Sequence, residues 1–142
     1  TRPGNERPAN VLPRLRLAGL RILVAEDNEI NQFVLEENLR EDGAEVVVVG
    51  DGAQAVKAVQ AQGAPRFDLV LMDVQMPEMD GYAATRAIRA VAPALPIIGQ
   101  TAHAFAEEKE RCRAAGMVDH LSKPIDPEEM VATILRHVPA QP

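Results

Sequence analysis

Leu69-Val70-Leu71-Met72-Asp73-Val74-Gln75-Met76-Pro77-Glu78-Met79-Asp80-Gly81 is the stretch that decides the fold. Its first four residues form an unbroken apolar run, the pattern of a strand covered on both faces. The run ends in a carboxylate, and a segment rich in turn formers follows at once. Such a strand carries Asp73 to the rim of a sheet. Taking a carboxylate out of water costs free energy, and chains keep one there chiefly where it meets a cation or does chemistry.

Outward from this stretch the same pattern recurs. Ile22-Leu23-Val24-Ala25, Val46-Val47-Val48-Val49, Ile97-Ile98-Gly99 and the weaker Val118 with Leu121 are short apolar runs, which makes five strands in all. Helical stretches are expected between them at 28–42, 52–62, 81–91, 104–115 and 127–138. Ile30, Phe33 and Val34 recur at helical spacing in the first, and Met130, Val131, Ile134, Leu135 and Val138 form a wide apolar stripe in the last. Gly43, Gly63 and Gly116 fall just past helix ends, where a left-handed residue is wanted. Asp126-Pro127-Glu128-Glu129 supplies an N-cap, a proline at the first helical position and a capping-box glutamate. Strand and helix alternating five times predict an α/β fold, a doubly wound parallel sheet of five strands with five helices on its two faces.

The chain has 142 residues, 46% of them apolar, enough for one domain with one core. Residues 20–138 hold all the periodicity. Residues 1–19 carry Pro3, Pro8 and Pro13 together with Arg2, Arg7, Arg14 and Arg16 and read as a linker, with Val11, Leu12, Leu15 and Leu17 able to pack loosely on the domain. Residues 139–142 form a short tail. A net charge of −6 argues against sequence-independent nucleic-acid binding, which needs a concentrated cationic face. The single cysteine, Cys112, excludes an internal disulfide and a cysteine-based zinc cluster. No apolar run has the length of a membrane span, so a cytoplasmic domain without direct membrane contact is expected, whether free or part of a parent anchored in the inner membrane.

In doubly wound sheets, ligands gather at the carboxyl ends of the strands. Strand one delivers Glu26-Asp27 there, strand three Asp73, strand four Gln100-Thr101, and strand five is followed by Ser122-Lys123-Pro124. Three carboxylates facing one lysine repel one another unless a cation joins them. A hard divalent ion with oxygen ligands fits, and Mg²⁺ fits best because it keeps several waters and takes only one or two protein carboxylates.

Glu26-Asp27, the segment Asp73 to Gly81, Thr101-Ala102 and Lys123-Pro124, at the ends of four predicted strands, resemble the motif set of two-component receiver domains, the phosphoacceptor modules of response regulators. Asp27-Asn28-Glu29-Ile30-Asn31 and the segment Gly116 to Ile125 further resemble receivers appended to hybrid sensor histidine kinases. The resemblance implies a flavodoxin-like receiver fold. It makes Asp73 the acceptor of a phosphoryl group from a phosphohistidine, on a histidine kinase transmitter or a histidine phosphotransfer domain. It implies Mg²⁺, or Mn²⁺, held by Asp27, Asp73 and the Gln75 backbone carbonyl, with Glu26 acting through water or by shaping the field. It assigns Lys123 to a phosphate oxygen, with a cis peptide before Pro124, and Thr101 to a phosphate oxygen whose capture moves the 101–121 face. Such a domain catalyses its own phosphorylation and dephosphorylation, and a monomer is expected.

His120 stands three residues before Lys123, where many receivers carry a rotating Tyr or Phe, so any switch there is an imidazole. His103 and Gln75 occupy positions that tune phosphoryl lifetime in related domains. Met76, Met79 and Tyr82 are expected to pack the loop, and Phe105 and Cys112 to anchor an otherwise charged fourth helix. Four other readings stand beside this one. A haloacid-dehalogenase-type phosphatase needs a second aspartate where Gln75 stands, and a flavodoxin needs a phosphate-cradling first loop, which Glu26 and Asp27 would oppose. A pseudo-receiver that only binds protein would keep the fold without the chemistry, and a stand-alone regulator would keep both without a kinase.

Overall fold

The computed structural model describes residues 15–61, 67–76, 79–102 and 105–138. Five strands, β1 (Arg21–Ala25), β2 (Glu45–Val49), β3 (Leu69–Asp73), β4 (Ile97–Thr101) and β5 (Asp119–Ser122), alternate with α1 (Glu29–Glu41), α2 (Gly52–Gln60), α3 (Gly81–Val91), α4 (Ala106–Ala115) and α5 (Pro127–His137). All strands are parallel, in the order β2-β1-β3-β4-β5. The order reverses between β1 and β3, which opens a crevice beyond their carboxyl ends.

Alternation along the strands builds two cores. Leu23, Ala25, Val70, Met72 and Ile97 face α2, α3 and α4. Ile22, Val24, Leu69, Leu71, Ile98 and Leu121 face α1 and α5. Strands buried on both sides must be apolar at every position, which is why the sequence shows runs instead of alternation. Met76 and Tyr82 are buried in the first core and Met79 packs against it, as expected.

The caps follow the sequence closely. Asn28, Asp51, Asp80 and Asp126 each accept a hydrogen bond from the backbone N–H three residues on. Gly43 and Gly116 sit at φ of 94° and 111°, where a side chain would be strained; Gly63 lies outside the described residues. Arg89, in the last turn of α3, donates from Nε and Nη2 to the Gly116 carbonyl at 2.9 and 2.7 Å, and from Nη1 to the carbonyls of Leu95 and Pro93. One guanidinium thus serves several carbonyls at the ends of α3 and α4, although burial pulls its pKa down.

Two expectations are corrected. The apolar residues Ile30, Phe33 and Val34 of α1 point to solvent, 74%, 64% and 46% exposed, and the helix packs through Leu35 and Leu39. The periodicity was real, but it marked an outward face. Phe105 is not an anchor of α4: it is exposed at the N-cap, and Cys112 and Ala115 hold the helix down. Of the segment expected to be a linker, residues 15–19 are described. Leu17 is fully buried, its N–H donates to the Asp42 carbonyl at 2.8 Å, and Arg16 pairs with Asp42 and Glu128, each at 2.9 Å.

Candidate functional site

The site grows from the ends of β1 and β3. Beyond Ala25 the chain must turn into α1, and Asn28 caps that helix, so Glu26 and Asp27 are left at the strand mouth. Glu26 continues the strand and is fully buried, while Asp27 is exposed. The Glu26 carboxylate accepts hydrogen bonds on Oε2 from the Asn28 N–H and the Asn31 side chain, at 3.2 and 3.3 Å. Its backbone carbonyl accepts from Gln32 Nε2 at 2.6 Å. Oε1 has no hydrogen bond among the described residues and lies 3.5 Å from Lys123 Nζ. Burial, reinforced by the charge of Asp73, pushes the Glu26 carboxyl above its ordinary range, against opposing pulls from Lys123, Asn28 and Asn31.

Asp73 closes β3 and is 2% exposed. Its Oδ1 accepts the Gln75 N–H at 3.0 Å, and its Oδ2 accepts from Lys123 Nζ at 2.8 Å. Gly81 permits this loop to close, because its N–H donates to the Val74 carbonyl and a Cβ there would overlap the Asp73 carbonyl oxygen. Lys123 comes from the β5 side, where its N–H donates to the Thr101 carbonyl at 2.8 Å, and the Lys123–Pro124 peptide is cis. Burial pulls its ammonium pKa down, but the hydrogen bond and charge of Asp73, then those of Glu26, raise it on balance.

Ligand oxygens of Glu26, Asp27 and Asp73 lie within 4.8 Å of one another. This is an all-oxygen donor set with one exposed acid, one buried carboxylate oxygen lacking a hydrogen bond, and a single nearby ammonium. The set fits Mg²⁺, which takes few protein ligands and keeps waters. Asp27 and Gln75 also line a cavity of about 450 Å³ that continues past Asp80 and Tyr82 to Glu108 and Arg111. The crevice therefore has room beside the acids for a reacting group.

Of the residues expected at the site, Glu26, Asp27, Asp73, Gln75 and Lys123 come together. Thr101 lies buried at the end of β4, one strand from Asp73. His120 stands lower on β5, in register with Gly99, with Nδ1 3.9 Å from Asp119 Oδ1. His103 lies outside the described residues. Gln100, to which no motif assigns a role, is 1% exposed and in register with Asp73. The signal was a polar residue directly after an apolar strand run.

The family described as response regulator receiver domain matches residues 22–135 of this chain. The sensor protein GacS of Pseudomonas syringae pv. syringae is 44% identical over 133 residues, covering 90% of this chain and 14% of that protein. Among solved structures, the receiver domain of a sensor histidine kinase from Pseudomonas aeruginosa PAO1, with a magnesium ion coordinated in its active site cleft, is 44% identical with a TM-score of 0.77. It covers 84% of this chain and 98% of that one. The receiver domain of Ssk1, crystallised with the histidine phosphotransfer protein Ypd1 of Saccharomyces cerevisiae, matches at 25% identity and a TM-score of 0.79, over 86% and 90% of the two chains.

Proposed function

The chain belongs to the response regulator receiver domain family, and on that premise we propose that Asp73 accepts a phosphoryl group from a phosphohistidine in a magnesium-dependent reaction. The observation that carries the reading is the state of Asp73: buried, held on one oxygen by the Gln75 N–H and on the other by Lys123, with the acids of Glu26 and Asp27 alongside. These contacts orient the carboxylate toward the crevice. Asp27, Asp73 and the Gln75 carbonyl, supported by Glu26, would hold a Mg²⁺ ion, which would supply positive charge to offset that of the transferring group; the same oxygen set would suit Mn²⁺.

A carboxylate oxygen of Asp73 attacks phosphorus as the phosphorus–nitrogen bond of the donor breaks, and the imidazole keeps the electron pair. Lys123 then shifts its ammonium from carboxylate to phosphoryl oxygen, and the Thr101 hydroxyl donates to another. Drawing Thr101 inward moves the 101–121 face, and the half-buried imidazole of His120 on β5 reports that movement. Gln75, exposed at the crevice, and His103 set how readily water reaches the acyl phosphate. Hydrolysis of that acyl phosphate makes the domain its own phosphatase.

The partner is a histidine kinase transmitter or a histidine phosphotransfer domain. The exposed Ile30, Phe33 and Val34 lie on the helix that follows Glu26 and Asp27, so an apolar docking face adjoins the acceptor. The likeness to the Ssk1 receiver, solved with a phosphotransfer protein, supports this kind of partner. The chain spans about one seventh of the sensor kinases it matches, which supports a hybrid histidine kinase as its parent; the reading is completed by a parent anchored in the inner membrane and a monomeric cytoplasmic domain. No helix among the described residues is long and apolar enough to cross a membrane.

Intact-mass measurement tests the reading. Incubation with Mg²⁺ and a small acyl phosphate is expected to add one phosphoryl group, with no addition when the metal is chelated beforehand and none in Asp73→Asn. No Asp73-dependent gain, with the fold intact, would leave a protein-binding pseudo-receiver.

A further inference from the structure

Gln100 is the penultimate residue of β4 and is 1% exposed. Neither its amide nitrogen nor its amide oxygen has a hydrogen-bond partner among the described residues, the one buried side chain there with two such atoms. An unpaired buried amide costs folding free energy, and an apolar residue of similar shape would avoid the cost. The residue needs a reason, and its position supplies one.

Asp73 and Gln100 are register partners on adjacent strands, as are Leu71 and Ile98 below them. Leu71 and Ile98 face α1 and α5, so by the two-residue period Asp73 and Gln100 rise side by side from that same face. On the other side Gln100 pairs with Leu121, which faces the same way. The ladder extends to the Lys123 N–H, two residues on, and the Lys123 side chain crosses from β5 to Asp73 on β3. Because β4 lies between β5 and β3, the register puts Gln100 on the sheet face that the Lys123 side chain must cross.

We infer that Gln100 is a positioning residue for Lys123, unpaired in the resting domain and hydrogen-bonded once Asp73 carries a phosphoryl group. In the resting domain the ammonium is shared between Asp73 and Glu26, at 2.8 and 3.5 Å. When one Asp73 oxygen becomes the bridging atom of an acyl phosphate, the other becomes a neutral carbonyl, and the negative charge moves outward onto the phosphoryl oxygens. Lys123 follows the charge. The Gln100 Oε1 then accepts one of the ammonium's three hydrogens, and its Nε2 donates to the Asp73 carbonyl. Pairing this amide adds to the free energy that favours the phosphorylated state.

The inference rests on the phosphoacceptor reading, and thermal unfolding with Mg²⁺ and beryllofluoride, a non-covalent phosphoryl mimic, separates the two. Gln100→Met should unfold at or above the wild-type temperature without the mimic, yet bind the mimic roughly tenfold more weakly, the loss of about one hydrogen bond to a charged group. Gln100→Leu should behave alike. In a Lys123→Met background the same change should weaken the residual affinity by clearly less than tenfold, because only the hydrogen bond from Nε2 to the Asp73 carbonyl is then left to lose; a merely structural role of Gln100 would give the same loss in both backgrounds. Wild-type affinity in both single variants, or a lower unfolding temperature without the mimic in both, overturns the role of Gln100. No response in the wild-type protein overturns the phosphoacceptor reading itself.

Discussion

The two ends of the sheet handle charge in opposite ways. At the amino end, acids are matched. Arg21 pairs with Glu45 at 3.2 Å, its N–H donates to Asp68 at 2.8 Å, and Asp119 accepts from His137 and Arg136 at 3.0 and 3.2 Å. At the carboxyl end Glu26, Asp27 and Asp73 crowd within 4.8 Å against the single ammonium of Lys123, and Glu26 Oε1 and the Gln100 amide lack hydrogen bonds among the described residues. One end is arranged for stability, and the other stores unfavourable electrostatics that a cation and a phosphoryl group relieve. Substitutions at the carboxyl end should therefore trade stability against chemistry, and those at the amino end should touch stability alone.

The sharpest break in that contrast is Lys123→Met. Without the ammonium, phosphorylation of Asp73 by a small acyl phosphate should slow by about 10²–10³-fold, the usual loss on removing one preorganised charge; a rate within a few-fold of wild type in a stopped time course would refute the role given to it. Next is Arg89→Met, away from the acids. It strands the carbonyls of Gly116, Leu95 and Pro93 and should cost about 2–3 kcal/mol in urea unfolding, while phosphoryl uptake per folded molecule stays unchanged.

Glu26→Gln should do the reverse. In metal-free buffer it removes a buried, repelled charge and should raise stability by about 1 kcal/mol, while the extra stability that wild type gains from Mg²⁺ shrinks. A drop in metal-free stability would mean that Lys123 already compensates Glu26. The smallest effect is at Asp119. Burial pushes its pKa up, but hydrogen bonds from His137, the His120 N–H and Arg136 hold it below the ordinary 3.8. A depressed carboxyl stabilises the fold above its unfolded value and loses that contribution as pH falls through the folded one. Asp119→Asn should therefore cost about 0.5–1 kcal/mol at neutral pH, with the gap to wild type closing below pH 3.8. A gap that stays constant down to acid pH would show that hydrogen bonding, not charge, holds His137 there.

Much of this contrast was legible in the residues. The apolar runs located all five strands, and Asp126 caps α5 as its motif predicts. The strand ends placed Glu26, Asp27, Asp73, Thr101 and Lys123 at one rim because a parallel sheet must deliver successive carboxyl ends to the same side. Ile30, Phe33 and Val34 misled because helical spacing identifies an apolar face without saying what covers it, and here Leu35 and Leu39 face the sheet instead. Arg89 was silent in the sequence, since a cation that serves carbonyls has no charged partner to betray it. Gln100 was visible as a strand-end polar residue, but its isolation was not.

By itself, then, the sequence determined the strand–helix order, the rim on which the acids gather and the deficit of positive charge there, because these depend on local pattern and on counting. Only the tertiary structure decided that Lys123 Nζ lies 2.8 Å from Asp73 and 3.5 Å from Glu26, that the buried Gln100 amide has no hydrogen bond among the described residues, and that α1 presents its apolar residues outward. Those facts depend on strand register and helix rotation, which long-range packing sets and no local pattern encodes.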